Sequence, residues 1–395
     1  MRALLFTLRQ AWPGIGRLPK ALKSAGFRVA VAAYEDSFVI KSRFIDERYV
    51  LPKLVFSLRA FLRTVERWEP DIVIPGDEPA AQLLRFVVSG LEARRPGFAP
   101  SSVLGAIDFS LGAKPFRHLW GNRQKVQELA ASLGIRVPPS ASVDSDSDAF
   151  AFVERHGYPA VLKNDNTHGG DRVVICADET MLRDALRRSA EEEGKGESRR
   201  VRLRRLLWRA LHGFVDGKGR SIHGFVAGQP ANRCFVALAG EPWGGLSARA
   251  ERTHPEPTGP GTVVRLCENA EMAAAAERFA RHVGYTGIGG LDFVLSRDDG
   301  HAYLIEFNPR PTPIFHLGAL VGIDLAGAFY RALAEGGRPP TQALTAERVV
   351  ALFPQEWYRD LESAFLKESP IDVPFDDAPL LAAYVAGHPY FRAAS

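Results

Sequence analysis

Along the first quarter of the chain, apolar and polar positions alternate in a strand–helix rhythm. Residues 3–8 are a continuous apolar run, the pattern of a strand buried on both faces. Residues 18–25 repeat their apolar positions at helical spacing, and residues 28–33 form a second run of small and β-branched side chains. Glu69-Pro70-Asp71 leads into a third strand at residues 72–75, and residues 79–88 read as helix. Strands alternating with helices predict a parallel α/β sheet with its loops gathered at the strand ends. Asp77 and Glu78 stand at one such end, where these folds place ligand contacts. Capping the next helix is the competing use of the same two residues.

Near residue 120 the rhythm changes. Residues 122–133 are helical and stop at Gly134, followed by an extended segment to Pro139. Residues 157–240 hold hydrophobic strands around one long charged helical stretch. Residues 271–283 are an alanine-rich helix, residues 289–307 a β-hairpin, and residues 317–333 another helix. The last fifty or so residues are rich in Pro, Asp and aromatics, which predicts a tail wrapped on the surface rather than a separate domain.

Composition narrows the function classes. Hydrophobic residues make up 46% and charged residues 24% of the 395, an ordinary soluble balance, and the net charge of +4 is too small to imply nucleic-acid binding. The expectation is of no nucleic-acid partner and no membrane, since no apolar run approaches the roughly 18 residues that span a bilayer. Cys176, Cys234 and Cys267 are scattered, with no metal-ligand spacing, so a reducing cytoplasm is the simplest setting. The N-terminal apolar stretch, cut short by Arg9, reads as a first strand rather than a signal peptide.

Chemistry concentrates in the hairpin. A turn centred on Asp299 sets Asp292 directly opposite Glu306, with Cβ atoms roughly 4.5–5.5 Å apart. Asn308, two residues beyond Glu306, projects from the same face. Both carboxylates are flanked by large apolar residues, and two buried carboxylates repel unless a cation or an arginine compensates. With Asn308 they form a hard-oxygen set suited to Mg²⁺; neutralisation by Arg310 or another arginine is the alternative. A second feature is the apolar run 159–162 ending in Lys163, which is costly unless the ammonium meets an anion. A polar loop and Gly169-Gly170 follow. Paired glycines admit phosphates close to backbone N–H groups, although a hairpin turn is their commoner use.

In order and spacing these segments resemble the ATP-grasp superfamily, including ATP-dependent carboxylate–amine ligases and the large subunit of carbamoyl-phosphate synthetase. The likeness runs over residues 110–335, and residues 1–107 are similar to the small α/β domain that usually precedes it. It implies an α/β pre-ATP-grasp domain at 1–115, a two-lobed ATP-grasp domain at 116–340 with a mobile ATP-covering lobe at about 140–230, and a tail at 341–395 packed on the core. Arg123 and Lys163 then match the basic ATP contacts, and Gly169 and Gly170 the loop closing over the triphosphate. Residues 221–228 match the adenine hinge, with His223 beside the base and backbone groups of Gly224, Phe225 and Val226 facing it. Asp292, Glu306 and Asn308 fall on the metal ligands, and Arg310 on the residue touching the transferred phosphoryl group or the substrate. Arg172, His223 and Pro230 depart from the usual pattern.

The resemblance implies a ligase that uses ATP and Mg²⁺ (or Mn²⁺) to activate a carboxylate as an acyl phosphate, then joins it to an amine. Its partners would be small-molecule acids and amines, with a homodimer compatible with the sequence but not required by it. Among Arg249, Arg252 and Arg265, Arg265 is the first choice for gripping a carboxylate. Two other readings stand beside this one: a related enzyme with bicarbonate, a thiol or another acceptor, and a nucleotide-binding module without turnover. The basic run at residues 199–209 reads as a solvated helix face, and Asp372–Asp377 as a turn-rich surface.

Overall fold

The computed structural model describes residues 1–9, 12–52, 57–88, 97–119, 122–164, 173–194, 220–337 and 342–388. Three sheets organise them. Strands β1 (Arg2–Phe6), β2 (Arg28–Ala33), β3 (Glu47–Val50) and β4 (Ile72–Pro75) form a parallel sheet in the order β3-β2-β1-β4. The apolar run read from the sequence is buried on both sides, as a parallel sheet requires. Leu4 and Phe6 face a core built with the helices Ser57–Trp68, Glu78–Phe86 and Ser101–Phe109. Ala3 and Leu5 face the opposite core, shared with the helices Leu18–Ser24 and Leu325–Ala334.

That second core also takes one face of a six-stranded antiparallel sheet. It comprises β9 (Gly228–Leu238), β10 (Glu241–Thr253), β11 (Gly261–Cys267), β12 (Gly287–Ser296), β13 (Ala302–Asn308) and β14 (Arg348–Ala351), ordered β13-β12-β9-β10-β11-β14. Cys234 and Val236 of β9 point into the shared core, while Phe235 and Ala237 point to the other face, onto the helices Arg123–Ser132 and Ala270–Val283. A third, antiparallel sheet of β5 (Ser140–Val143), β6 (Ala160–Asn164), β7 (Val173–Cys176) and β8 (Arg220–Gly224) runs in the order β5-β8-β6-β7. Helices Asp146–His156 and Glu179–Gly194 cover it; the latter is the charged helix expected there. The architecture is mixed α/β.

Two expectations change. The continuous helix at 317–333 is broken: a 3₁₀ segment Phe315–Val321 ends at Gly322, whose φ of 81° is left-handed, and Asp324 caps a new helix by accepting from Gly327 N at 2.8 Å. Stop and start signals here override the apolar period. The C-terminal segment does more than wrap the surface, because β14 pairs with β11 and completes the six-stranded sheet. Beyond it, fully buried Glu356 accepts from Thr262 Oγ1 at 2.6 Å and from Arg359 at 2.6 and 2.9 Å. Asp377 accepts from Ser42 Oγ and from Arg43 N, which carries the last helix, Ala378–Ala386, onto the N-terminal sheet. All three cysteines are buried and free. No single helix among the described residues is long and apolar enough to cross a membrane. Gly169, Gly170, His168, Arg172 and the basic run 199–209 lie outside the described residues.

Candidate functional site

A cavity of about 810 Å³ opens where the six-stranded sheet, the four-stranded sheet and the N-terminal domain meet. The hairpin supplies its floor. Asp292 of β12 pairs with Glu306 of β13, and Gly290 with Asn308. Beyond Asp292 the register shifts, so that Phe293 pairs with Leu304 and Ile305 is the extra residue of a bulge. Leu291, Phe293 and Phe307 enter the core beneath while Asp292, Glu306 and Asn308 line the cavity.

The charges are arranged around these carboxylates. Arg123, the first residue of its helix, donates from Nε to Glu306 Oε1 at 3.1 Å and has a second guanidinium nitrogen at 3.1 Å from the same oxygen. Asn122 caps that helix by accepting from Lys125 N at 2.9 Å, which fixes where Arg123 starts. Lys163 is only 7% exposed, and burial together with the Arg123 charge lowers its ammonium to about 8, against partial support from Glu306 and Asp292. Burial pushes Glu306 up, but Arg123 and Lys163 outweigh it and hold the carboxyl below its ordinary value. Asp292 goes the other way: burial and the Glu306 charge raise it despite two amide donors. The two adjacent carboxylates are thus driven apart, the pattern seen where charged groups are gathered in a functional cleft.

Asn308 Nδ2 donates to Asp292 Oδ2 at 2.8 Å, and Arg310 donates to Asn308 Oδ1 at 2.9 Å. Arg310 also has Nε 4.0 Å from Glu78 Oε2, across the boundary from the N-terminal domain. The two residues after β4 thus divide their roles. Asp77 is structural: it caps its helix through Ala80 N at 2.8 Å and accepts from Leu8 N, Arg9 N and the Thr7 hydroxyl, stitching the loop after β1 in place. Glu78 faces the cavity, and burial, opposed by Arg310, raises its carboxyl. Arg9, Trp12 and Gln82 extend the same wall.

A family model described as the ATP-binding domain of the carbamoyl-phosphate synthase L chain matches residues 122–207. The carbamoyl phosphate synthase large chain of Gemmatimonas aurantiaca is 25% identical over 268 residues, covering 67% of this chain and 21% of that one. The chain thus spans about a fifth to a quarter of the length of the synthase large chains it matches. Among solved structures, the biotin carboxylase domain of Hydrogenobacter thermophilus 2-oxoglutarate carboxylase, in complex with MgADP, ADP and bicarbonate, is similar at a TM-score of 0.62 and 16% identity, over 88% of this chain and 73% of that one. Staphylococcus aureus N5-carboxyaminoimidazole synthetase complexed with ADP is similar at 0.59 and 13%, over 88% and 81%. The chain has the ATP-grasp fold, and its residues 122–207 resemble the ATP-binding domain of the carbamoyl-phosphate synthase L chain.

Within this ATP-grasp fold the hinge is only partly available to a base. Gly224 and Phe225 line the cavity, but their amides are donated to Pro139 O at 2.8 Å and Pro159 O at 3.3 Å. Among the described residues the Val226 amide makes no such bond, and Val226 lines the cavity. His223 is 1% exposed; its Nε2 pairs with Ser221 Oγ at 2.9 Å. Burial, with Lys163 and Arg123 nearby, holds its imidazole well below the ordinary histidine value, so it is a neutral wall residue.

Arg265 stands behind the cavity wall rather than in it. Strand alternation on β11 sends Val264 and Leu266 toward the shared core on the cavity side, and Arg265 to the opposite face. It donates to Glu251 Oε1 at 2.6 Å and does not itself line the cavity, although Glu251 does. Sequence spacing placed it near the site; the strand's period of two turned it away. Arg252, which follows the register shift in β10, does line the cavity, with its guanidinium 3.3 Å from Glu256. Asn232 was not legible beforehand: nothing in its local sequence signals that β9 will run beside β12 and set it against Asp292.

Among the described residues no three His, Cys, Asp or Glu side chains gather as a metal site, so any cation would rest on two carboxylates and an amide. Those donors fit a hard cation. Asn308 Nδ2 donates to Asp292 Oδ2 at 2.8 Å; a half-turn of the amide, releasing Oδ1 from Arg310, would present that oxygen beside the carboxylate instead.

Proposed function

We propose that the chain is an ATP-dependent ligase that activates a carboxylate as an acyl phosphate and transfers the acyl group to an amine. The observation that carries this reading is the convergence of Lys163, Arg123, Asp292, Glu306, Asn308 and Arg310 on one cavity with room beyond them for further substrates. Lys163 and Arg123 supply fixed positive charge for the triphosphate, and Val226 offers its amide to the base. Asp292, Glu306 and Asn308 would hold Mg²⁺, which when bound screens the β- and γ-phosphate charge. A carboxylate oxygen of the acid attacks the γ-phosphorus and ADP departs; Arg310 lies where it can meet the transferred phosphoryl group. The amine nitrogen then attacks the acyl carbon, inorganic phosphate leaves, and a proton is lost.

Support for a second substrate pocket comes from the cavity's far wall. It is built by Arg9, Trp12, Glu78, Gln82 and Arg252, with the proline-rich turn at residues 254–260 above them. This wall offers both charge signs, as an acid and an amine together require. The domain division at 1–115, 116–340 and 341–395, with 140–230 as the covering lobe, is part of the same proposal.

The test is release of ADP and phosphate from MgATP against a panel of amino acids, dipeptides and other carboxylic acids including bicarbonate, with Glu306→Gln alongside. Release that needs one acid and one amine and falls at least about 10²-fold in the variant supports the reading. Tight ATP binding without release from any combination points instead to a nucleotide-binding module.

A further inference from the structure

Asn232 stands at the one place where the metal-facing hairpin, the central strand β9 and the loop carrying Arg310 meet. Its register partner is Asp292. Its Nδ2 donates to Asp292 Oδ1 at 2.6 Å and to Leu291 O at 3.3 Å, and its Oδ1 accepts from Thr312 Oγ1 at 2.9 Å. Thr312 is buried and lies two residues after Arg310. The orientation of the Asn232 amide is therefore determined: a carboxylate accepts only from nitrogen, and the threonine hydroxyl donates to oxygen. Glycine at position 290 makes the closure possible, because a Cβ there would stand 2.3 Å from Thr312 Cγ2 and 3.3 Å from Asn232 Nδ2.

The consequence concerns which oxygen of Asp292 is available. Oδ1 is capped by Asn232 from the neighbouring strand β9. Among the described residues Oδ2 accepts from Asn308, which can turn its amide. We propose that Asn232 is a positioning residue that leaves Asp292 a single metal-facing oxygen, Oδ2, by tying the other, Oδ1, through its own amide and Thr312 to the loop bearing Arg310. This rests on the metal reading above and adds to it a residue that touches neither nucleotide nor cation. Partners of this kind, behind the ligand, orient it and raise its affinity.

The experiment uses the full chain without nucleotide and Mn²⁺ alone as the probe, with free Mn²⁺ followed by electron paramagnetic resonance. Asn232→Leu, close in shape but without polar atoms, is expected to weaken Mn²⁺ binding about 10–100-fold. Binding of ADP without metal should stay within about twofold. Thr312→Val leaves the cap but releases the amide's orientation, and a weakening of about three- to fivefold is expected; it decides the matter should the leucine variant fail to fold. Wild-type Mn²⁺ affinity in Asn232→Leu, or in Thr312→Val if that is the variant measured, overturns the proposal. Failure of the unaltered chain to bind Mn²⁺ overturns the metal reading itself and this inference with it, a result distinct from a variant that merely matches wild type.

Discussion

Lys163 makes the sharpest prediction, because its charge is both required by the proposed chemistry and weakened by the fold. Its ammonium is buried at the end of a strand, next to Arg123, and its pKa falls from 10.5 to about 8. At pH 7 about ten of eleven molecules carry the charge; at pH 9 about one in eleven does. If the triphosphate binds only the charged form, affinity falls about tenfold between those two values, equivalent to about 1.4 kcal/mol. The terminal phosphate of a nucleotide loses its last proton near pH 6, so it does not titrate in this window. Calorimetric titration of ADP with saturating Mg²⁺ at pH 7, 8 and 9, in buffers of differing ionisation enthalpy, measures both quantities. Proton uptake on binding should rise from near zero at pH 7 toward one at pH 9. Lys163→Arg keeps the charge at every pH and should flatten both curves. An affinity independent of pH in the unaltered protein, or a slope that persists in the arginine variant, refutes the argument. Stability responds to the same shift: between about 8 and 10.5 the unfolded chain holds a proton the folded chain has released, so unfolding free energy rises with pH there.

Two further outcomes follow from the geometry. Arg265→Ala should change turnover by less than about twofold, because its guanidinium does not itself line the cavity, whereas Arg252→Ala should raise the KM of the acid substrate about tenfold or more; equal effects in steady-state kinetics would contradict this assignment. Glu356→Ala removes the acceptor for Thr262, Ser363 and Arg359 in a fully buried position and should cost about 3–5 kcal/mol, read as a lower denaturation midpoint. A loss below about 1 kcal/mol would mean that the C-terminal segment does not anchor through this carboxylate.

What the sequence disclosed and what it hid divide along a physical line. The first strands and the hairpin bearing Asp292 and Glu306 were legible because each is dictated locally: continuous apolar runs for a two-faced sheet, and a turn that fixes which residues stand opposite. Even there, the Asp292–Glu306 pairing survives in the structure only through the bulge at Ile305, since the pairs beyond it are shifted by one. Arg265 and the helix at 317–333 show the opposite case. Their misreading came from spacing that was right and a face or break that was not: one residue's shift along β11 would exchange Arg265 with Val264, and Gly322 with Asp324 cuts an apolar repeat that is otherwise continuous.

Asn232 was hidden for a deeper reason. Its partners Asp292 and Thr312 lie 60 and 80 residues away, and only the placement of β9 between β10 and β12 brings them together. The same is true of Glu78, which sequence could assign only to a cap or a ligand. Folding separates the pair, burying Asp77 under four donors and turning Glu78 toward Arg310. Residues whose chemistry is set by a long-range neighbour look ordinary in their own segment. In this chain those neighbours join three sheets around one cavity, so the charges that would bind a nucleotide and the wall that would select its co-substrates are fixed by contacts that no local pattern carries.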